Sequence, residues 1–319
     1  MLNYTNALKR FDTAGIASLE AGFRGGPLAG VLDDAPCIPR RRGLTAEQFE
    51  LEHRQPKRPV LLEGMADDWP ALSSWSFEKL ARRCGSIPVT VNGYDSHRAV
   101  EMPFATFVDQ LKANPDGPVE SPLYLQEWYY KASLPELAAD TPELEIAQYD
   151  FRRDLYGEAV STNHQLWMGQ RGAVTILHQD SYMVDVMHVQ LVGNKRWHVM
   201  SPDAALPCTD SGEPDFARLV TDPNTGLMQC TLGPGDVLYL PALWWHRVEL
   251  LSDSIGIGRK CLDESNLQAH IRLRMAELLA LALNSDEVKQ TQPDLFHVVT
   301  KRARTWAKRM DIDLSKLRP

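Results

Sequence analysis

The sequence predicts a mainly β domain with flanking helices, and three observations support this. Between residues 164 and 262 short strand-like runs recur: Gln165–Met168, Ala173–Leu177, Met187–Val192, Arg196–Met200, Val237–Leu240 and Ser254–Ile257. Turn residues at Gly172, Gly193-Asn194 and Gly233-Pro234-Gly235 separate them, the punctuation expected of a sandwich or a barrel. The alternation in Met187-His188-Val189-Gln190-Leu191 is that of a strand with one face buried. Beyond residue 262 the apolar spacing changes from strand-like to helical.

The elements follow in order. Residues 1–57 form an extension. It has a helical pattern over Ala7–Leu19, a glycine-rich stretch over residues 22–30, the basic cluster Arg40-Arg41-Arg42, and a short helix capped by Thr45. Residues 58–130 mix strands and helices. Strands are expected at Pro59–Leu62, Val89–Val91 and Leu123–Gln126, and a helix opens over Trp75–Leu80. Residues 131–160, acidic and broken by Pro135 and Pro142, read as a loop with short helices. A helix over 265–284, with Ser265 as its N-cap, carries the apolar stripe Leu267, Ile271, Met275, Leu278 and Ala282, with Leu279 beside it. A second helix is expected over Pro293–Met310. The division is therefore 1–57, a partly helical extension; 58–262, the β domain; and 263–319, a helical region. The stripe packs on the β domain or forms a dimer interface. The Leu/Ala-rich stretch 276–283 is apolar on several faces, which favours a homodimer.

Bulk properties narrow the function classes. The chain has 319 residues, 44% hydrophobic and 24% charged, enough for a sizeable core in one large or two modest domains. A net charge of -8 argues against general binding to nucleic acid or anionic membranes. The basic C-terminal end, with Lys301, Arg302, Arg304, Lys308 and Arg309, reads as a solvated helix face. Cys37, Cys84, Cys208, Cys230 and Cys261 are scattered without CxxC spacing, against a disulfide framework or a cysteine zinc site. Reduced thiols fit a cytoplasmic location. The N-terminus lacks the pattern of a signal peptide, and no run reaches the roughly 20 apolar residues of a membrane span.

One constellation carries chemistry. In Thr175-Ile176-Leu177-His178-Gln179-Asp180, His178 and Asp180 stand two apart, so on a strand both point to one face. A His-x-Asp triplet alone is common on protein surfaces. His246, in Trp244-Trp245-His246, supplies a third ligand from another strand of the same β region. Two imidazoles and one carboxylate on one face of an octahedron leave three positions open, the arrangement of non-haem Fe(II) oxygenases.

Longer motifs surround these residues. Leu166-Trp167-Met168-Gly169, then Thr175 and His178-Gln179-Asp180, resemble the metal-binding strand of JmjC-type, cupin-fold 2-oxoglutarate oxygenases. Pro234-Gly235-Asp236-Val237-Leu238-Tyr239-Leu240-Pro241 followed by Trp244-Trp245-His246 resembles the strand bearing that family's distal histidine. Leu123-Tyr124-Leu125-Gln126 and Gly193-Asn194-Lys195-Arg196 resemble two further blocks. The resemblance covers about residues 58–262, and within the family the chain resembles the asparaginyl hydroxylase of hypoxia-inducible factor. It implies a double-stranded β-helix (jelly-roll, cupin/JmjC-like) core, with Fe(II) held by His178, Asp180 and His246. It also implies 2-oxoglutarate as cosubstrate, its distal carboxylate held by Lys195, Thr175 and Tyr124, and dioxygen as oxidant. Physical chemistry agrees, since a carboxylate entering a dry barrel needs a cation and hydroxyl donors. Thr175 precedes His178 by three and shares its face only if the strand carries a bulge.

Two departures stand out. Asp185 or Val186 occupies a place where the family often has Asn, and Gly258, followed by Arg259, occupies another. Both places tune the metal or its cosubstrate from behind the ligands. Gln126, Trp128 and Arg259 are candidate substrate contacts, with Tyr129 and Tyr130 at the entrance, whereas His188 and His198 read as structural, His188 facing the barrel wall or its outside. The resemblance implies a dioxygenase that hydroxylates an unactivated carbon of a protein or peptide side chain, with succinate and CO2 as coproducts. The same chemistry on a small metabolite is the alternative. A non-catalytic cupin metal-binding module is the alternative of another class.

Overall fold

The structure is a computed structural model. It describes residues 32, 34–92, 99–113, 122–147, 150–156, 164–180, 183–202, 218, 222, 225–283, 286–291, 293–294, 296–297, 300–301 and 304–305. The helical pattern over Ala7–Leu19 lies outside them. So does much of 293–310, although its described residues are helical.

The strands run β1 (Arg40–Arg42), β2 (Val60–Glu63), β3 (Pro88–Asn92), β4 (Ala99–Pro103), β5 (Tyr124–Trp128), β6 (His164–Gly169) and β7 (Val174–His178). They continue with β8 (Asp185–Val192), β9 (Lys195–Met200), β10 (Met228–Leu232), β11 (Val237–Leu240), β12 (Trp245–Leu250) and β13 (Ser254–Cys261). Two sheets form, one in the order β1-β2-β11-β8-β13-β6-β5-β3-β4 and a smaller one in the order β10-β9-β12-β7. The neighbouring strands pair antiparallel apart from β1 and β2. These sheets are the walls of a jelly roll.

Alternation along the strands explains both layers. On β11, Val237 and Tyr239 join a core with Val189 of β8 and Ile257 of β13, roofed by Phe104 and Phe107 of helix Phe104–Ala113. Leu238 and Leu240, on the opposite face, join Trp197 and Val199 of β9 and Val248 of β12 between the sheets. The large sheet is thus buried on both faces, which is why β11 reads as the unbroken apolar run Val-Leu-Tyr-Leu.

Helix ends follow their caps. Thr45 forms a capping box with Gln48, and Ser76 Oγ accepts from the Lys79 amide ahead of helix Phe77–Cys84. At helix Glu264–Leu283 the expected cap moves. The Asp263 carboxylate accepts from the Ser265 amide at 2.8 Å, so Asp263 takes the capping role expected of Ser265. The sheet also begins upstream of residue 58. β1 pairs with β2, and Ile38 is buried in the inter-sheet core. The expected strands omit β1, β4 and β10, and β12 is expected only as a strand carrying His246, without bounds. No helix among the described residues is long and apolar enough to cross a membrane.

Burial also sets a pH dependence. His198 is pushed down to about 3 by burial, then by the charges of Arg247 and Arg196, and burial lowers His53 and His164. Their folded values lie below the unfolded value, so their stabilising effect is full above about pH 6.5 and is lost as pH falls. Between pH 7.5 and pH 5 we expect urea unfolding to show a loss of about 2 kcal/mol for each imidazole that stays neutral. His198→Gln should flatten that slope. An unfolding midpoint independent of pH over this range would contradict the assignment.

Candidate metal centre

β7 and β12 are neighbours in the smaller sheet, and their register sets His178 directly opposite His246. The two ring centroids are 4.0 Å apart. Each ring is oriented by a backbone carbonyl: His178 Nδ1 lies 2.7 Å from Ile176 O, and His246 Nδ1 lies 3.0 Å from Trp244 O. A carbonyl only accepts, so each Nδ1 carries the proton and each Nε2 presents its lone pair. Asp180 follows β7, with Oδ1 3.6 Å from His178 Nε2. One ligand atom from each of the three residues lies within 4.8 Å of the others. This donor set fits a divalent transition metal with three open positions.

The charge states of His246 and Asp180 agree with ligation, whereas His178 is shifted toward its protonated form, so that a metal ion would compete with a proton for its Nε2. Burial, then the neighbouring His178, pushes His246 down to about 4, so its imidazole is neutral. Burial opposes the Asp180 carboxylate, but hydrogen bonding to His178 and the two imidazoles outweigh it, and its pKa falls. The same carboxylate outweighs burial at His178 and raises it.

The loop before β12 is held from two sides. Gln179 Nε2 donates to Leu243 O at 2.6 Å, and Leu243 has a φ of +64°. Behind it, the Asp185 carboxylate accepts from the Ala242 amide at 2.8 Å and from the Tyr239 hydroxyl at 2.7 Å. Asp185 therefore faces away from the metal ligands and braces the loop that carries His246. Val186, on the other face of β8, lines the cavity.

The bulge that Thr175 needs is present. Opposite β12, the pairs are His246 with His178 and Val248 with Thr175, so β7 spans three residues where β12 spans two. The extra residue returns Thr175 to the face of His178. Both line one cavity of roughly 480 Å3, open to solvent, together with Tyr124 and Lys195. Tyr124 hydrogen-bonds Thr175, and burial raises the Tyr124 phenol. Lys195 is 0% exposed, and among the described residues no carboxylate pairs with it. Burial pulls its ammonium down to about 7. A buried cation without a counter-charge is costly and marks a place for an anion.

The substrate-contact expectations fare unevenly. β5 also carries a bulge: Leu125 pairs with Met168 and Trp128 with Leu166. It redirects the strand, so Glu127, with φ +54°, lines the cavity in place of Gln126. Its Oε1 accepts from Gln165 Nε2 at 3.2 Å and lies 3.4 Å from Lys260 Nζ. Trp128 packs on the core beside Phe104, with ring centroids 5.3 Å apart. Arg259 borders the cavity, but its guanidinium pairs with Glu143 and reaches Asp150 at 4.0 Å. Tyr130 is fully buried, its hydroxyl 2.6 Å from Thr141 Oγ1.

Several wall residues escaped sequence reasoning, His188, Trp197 and Gln165 among them. His188 faces the cavity rather than the outside. Alternation from the cavity-facing Val186 was the available signal, because β8 places residues 186 and 188 on one face. Trp197 packs its ring against His246 at 5.7 Å. Gln165 joins the wall from β6. At Gly258 a Cβ would lie 3.0 Å from Trp167 Nε1, so glycine keeps the wall open where the family often has Asn.

A jelly roll that turns two imidazoles, a carboxylate and a buried lysine into one cavity defines the cupin class of metal-binding folds. The chain belongs to the cupin-like domain family, whose model matches residues 46–259. It is 27% identical over 297 residues to the lysine-specific demethylase JMJ21 of Arabidopsis thaliana, covering 84% of this chain and 31% of that protein. It is 28% identical over 252 residues to lysine-specific demethylase 8 of Xenopus tropicalis, covering 72% of this chain and 54% of that protein. With the bifunctional arginine demethylase and lysyl-hydroxylase psr-1 of Caenorhabditis elegans it shares 24% identity over 249 residues, 70% of this chain and 60% of that protein. The chain thus spans between about a third and three fifths of the length of these relatives.

Separate alanine substitutions at His178, Asp180 and His246 should each reduce bound Fe(II) or Mn(II) from about one equivalent per chain to near zero, because three donors are the minimum of this site. Elemental analysis after desalting reads this directly. Retention of full metal by any of the three variants would remove that residue from the ligand set.

Proposed function

We propose that the chain is an Fe(II)- and 2-oxoglutarate-dependent dioxygenase that hydroxylates a protein or peptide side chain, with succinate and CO2 as coproducts. The observation that carries this reading is Lys195: fully buried, without a carboxylate partner among the described residues, and in the same cavity as His178, Asp180 and His246. A metal-binding module without cosubstrate has no use for a buried unpaired cation, which costs stability.

In this reading His178, Asp180 and His246 would hold the iron, which when bound would relay to dioxygen two electrons from 2-oxoglutarate and two from the substrate C–H bond. Lys195 neutralises the distal carboxylate of the cosubstrate. Tyr124 and Thr175 donate hydroxyl hydrogen bonds to it. Trp197, Val186 and Val248 keep water from the cavity wall, which strengthens these charge-assisted bonds. The carbonyls of Ile176 and Trp244 keep the Nδ1 protons in place, so neither imidazole turns away.

The relatives' names support a protein substrate over a metabolite, since they are called lysine or arginine demethylases or a lysyl-hydroxylase. Hydroxylation and demethylation share one event here, because an N-methyl group that is hydroxylated leaves as formaldehyde.

We further propose a homodimer through the C-terminal helical region, 263–319. On helix Glu264–Leu283 the buried positions are Asn266 and His270, whereas Ile271 is 38% and Met275 47% exposed. The expected stripe therefore turns away from the β domain at these residues; its continuation, Leu278, Leu279 and Ala282, lies outside the described side chains. A cytoplasmic, reducing location fits the free thiols of Cys37, Cys84, Cys230 and Cys261.

With Fe(II), ascorbate and 2-oxoglutarate the protein should form succinate, and lysine- and arginine-containing peptides should increase the rate. Lys195→Met should raise the 2-oxoglutarate concentration needed at least 100-fold, in line with loss of a charge-assisted bond in a dry site, roughly 3 kcal/mol. No succinate from the wild type, with or without a broad peptide panel, would favour the non-catalytic module. Light scattering should give twice the chain mass, falling toward the monomer for the Ile271→Glu, Met275→Glu double variant. A wild-type monomer would refute the dimer.

A further inference from the structure

His188 has no assigned role in the chemistry above, yet it is 4% exposed and lies on the cavity wall. Its Nε2 is 3.3 Å from Lys195 Nζ. An ammonium only donates, so Nε2 carries a lone pair aimed at Nζ, and the imidazole is neutral with its proton on Nδ1. The fold makes room for this contact. A Cβ on Gly256 would stand 2.5 Å from His188 Nε2, so the imidazole occupies space that only glycine leaves on that strand. On another side lies the Trp197 ring, its centroid 5.1 Å from that of His188.

Resting on the 2-oxoglutarate reading, we infer that His188 is a positioning residue for the cosubstrate: it accepts a hydrogen bond from Lys195 and holds that ammonium aimed at the distal carboxylate. A lysine side chain has four rotatable bonds, and without an acceptor its head is free to withdraw along the wall. One of three N–H groups goes to His188, leaving two for the incoming carboxylate. Gly256 is then part of the same device, because any side chain there displaces the imidazole from Lys195.

The test reads ligand binding and needs no turnover. The full chain is loaded with Zn(II) as a redox-inert stand-in and titrated calorimetrically with 2-oxoglutarate and with oxalate, which offers a chelating head but no distal carboxylate. His188→Leu should weaken 2-oxoglutarate at least tenfold and leave oxalate unchanged. His188→Gln, which keeps an acceptor, should recover most of that loss, and Gly256→Ala should resemble His188→Leu. Unchanged 2-oxoglutarate affinity in His188→Leu overturns the inference, as does an equal loss for both ligands. If His188→Leu does not fold, the Gln and Gly256→Ala variants decide the matter by the same comparison. A wild type that binds oxalate but not 2-oxoglutarate defeats the cosubstrate reading itself, an outcome distinct from failure of His188 alone.

Discussion

The antiparallel pairing of β7 with β12, with its single extra residue, is the constraint on which the site depends. Opposed residues in such a pair have nearby side chains, which sets His178 against His246. Without the bulge, Thr175 would turn to the far face and the cavity would lose a hydroxyl. With it, one short strand serves both the candidate metal ligands and the proposed cosubstrate anchor. The surrounding contacts keep this register. Gln179 ties the end of β7 to Leu243, and Asp185 braces the same loop from behind through Ala242.

The cavity works against the stability of the fold. Lys195 is buried without a counter-charge among the described residues, and His188 and His246 are held neutral by burial. A packed apolar core would avoid these costs. They are tolerable because the surroundings are densely apolar: Val189, Val237 and Ile257 pack behind the large sheet, and Val199, Leu232 and Leu240 fill the space between the sheets beside the cavity. An anion bound to the folded state alone would offset part of the cost by mass action.

Much of the fold was legible because alternation and turn chemistry are local signals. β11 matches its expected bounds, and β6, β7, β8, β9 and β13 lie within a few residues of theirs. Helix starts at Thr45 and Ser76 follow from side chains that compete for free amides. Strands β1, β4 and β10 were harder to see. Arg40-Arg41-Arg42 has no strand-like composition, and only pairing with β2 makes it a strand. Composition points to Ser265 as the helix cap, but Asp263 lies two residues earlier with a stronger acceptor.

By itself, the sequence determined the donor types and their order: a histidine and a carboxylate two apart, a distant histidine, and a lysine after a glycine turn. These depend on residue chemistry and strand period, which need no neighbours. Tertiary structure alone decided where the side chains point once strands depart from ideal pairing. The bulge in β5 replaced Gln126 with Glu127, and the other in β7 recovered Thr175. The β8 face put Asp185 behind the loop and His188 beside Lys195. A bulge is a property of two paired strands, since it exists only as an extra residue on one relative to the other. No reading of a single segment can therefore locate it. The candidate metal ligands were visible in the sequence, whereas the wall around them became visible only when the strands were laid side by side.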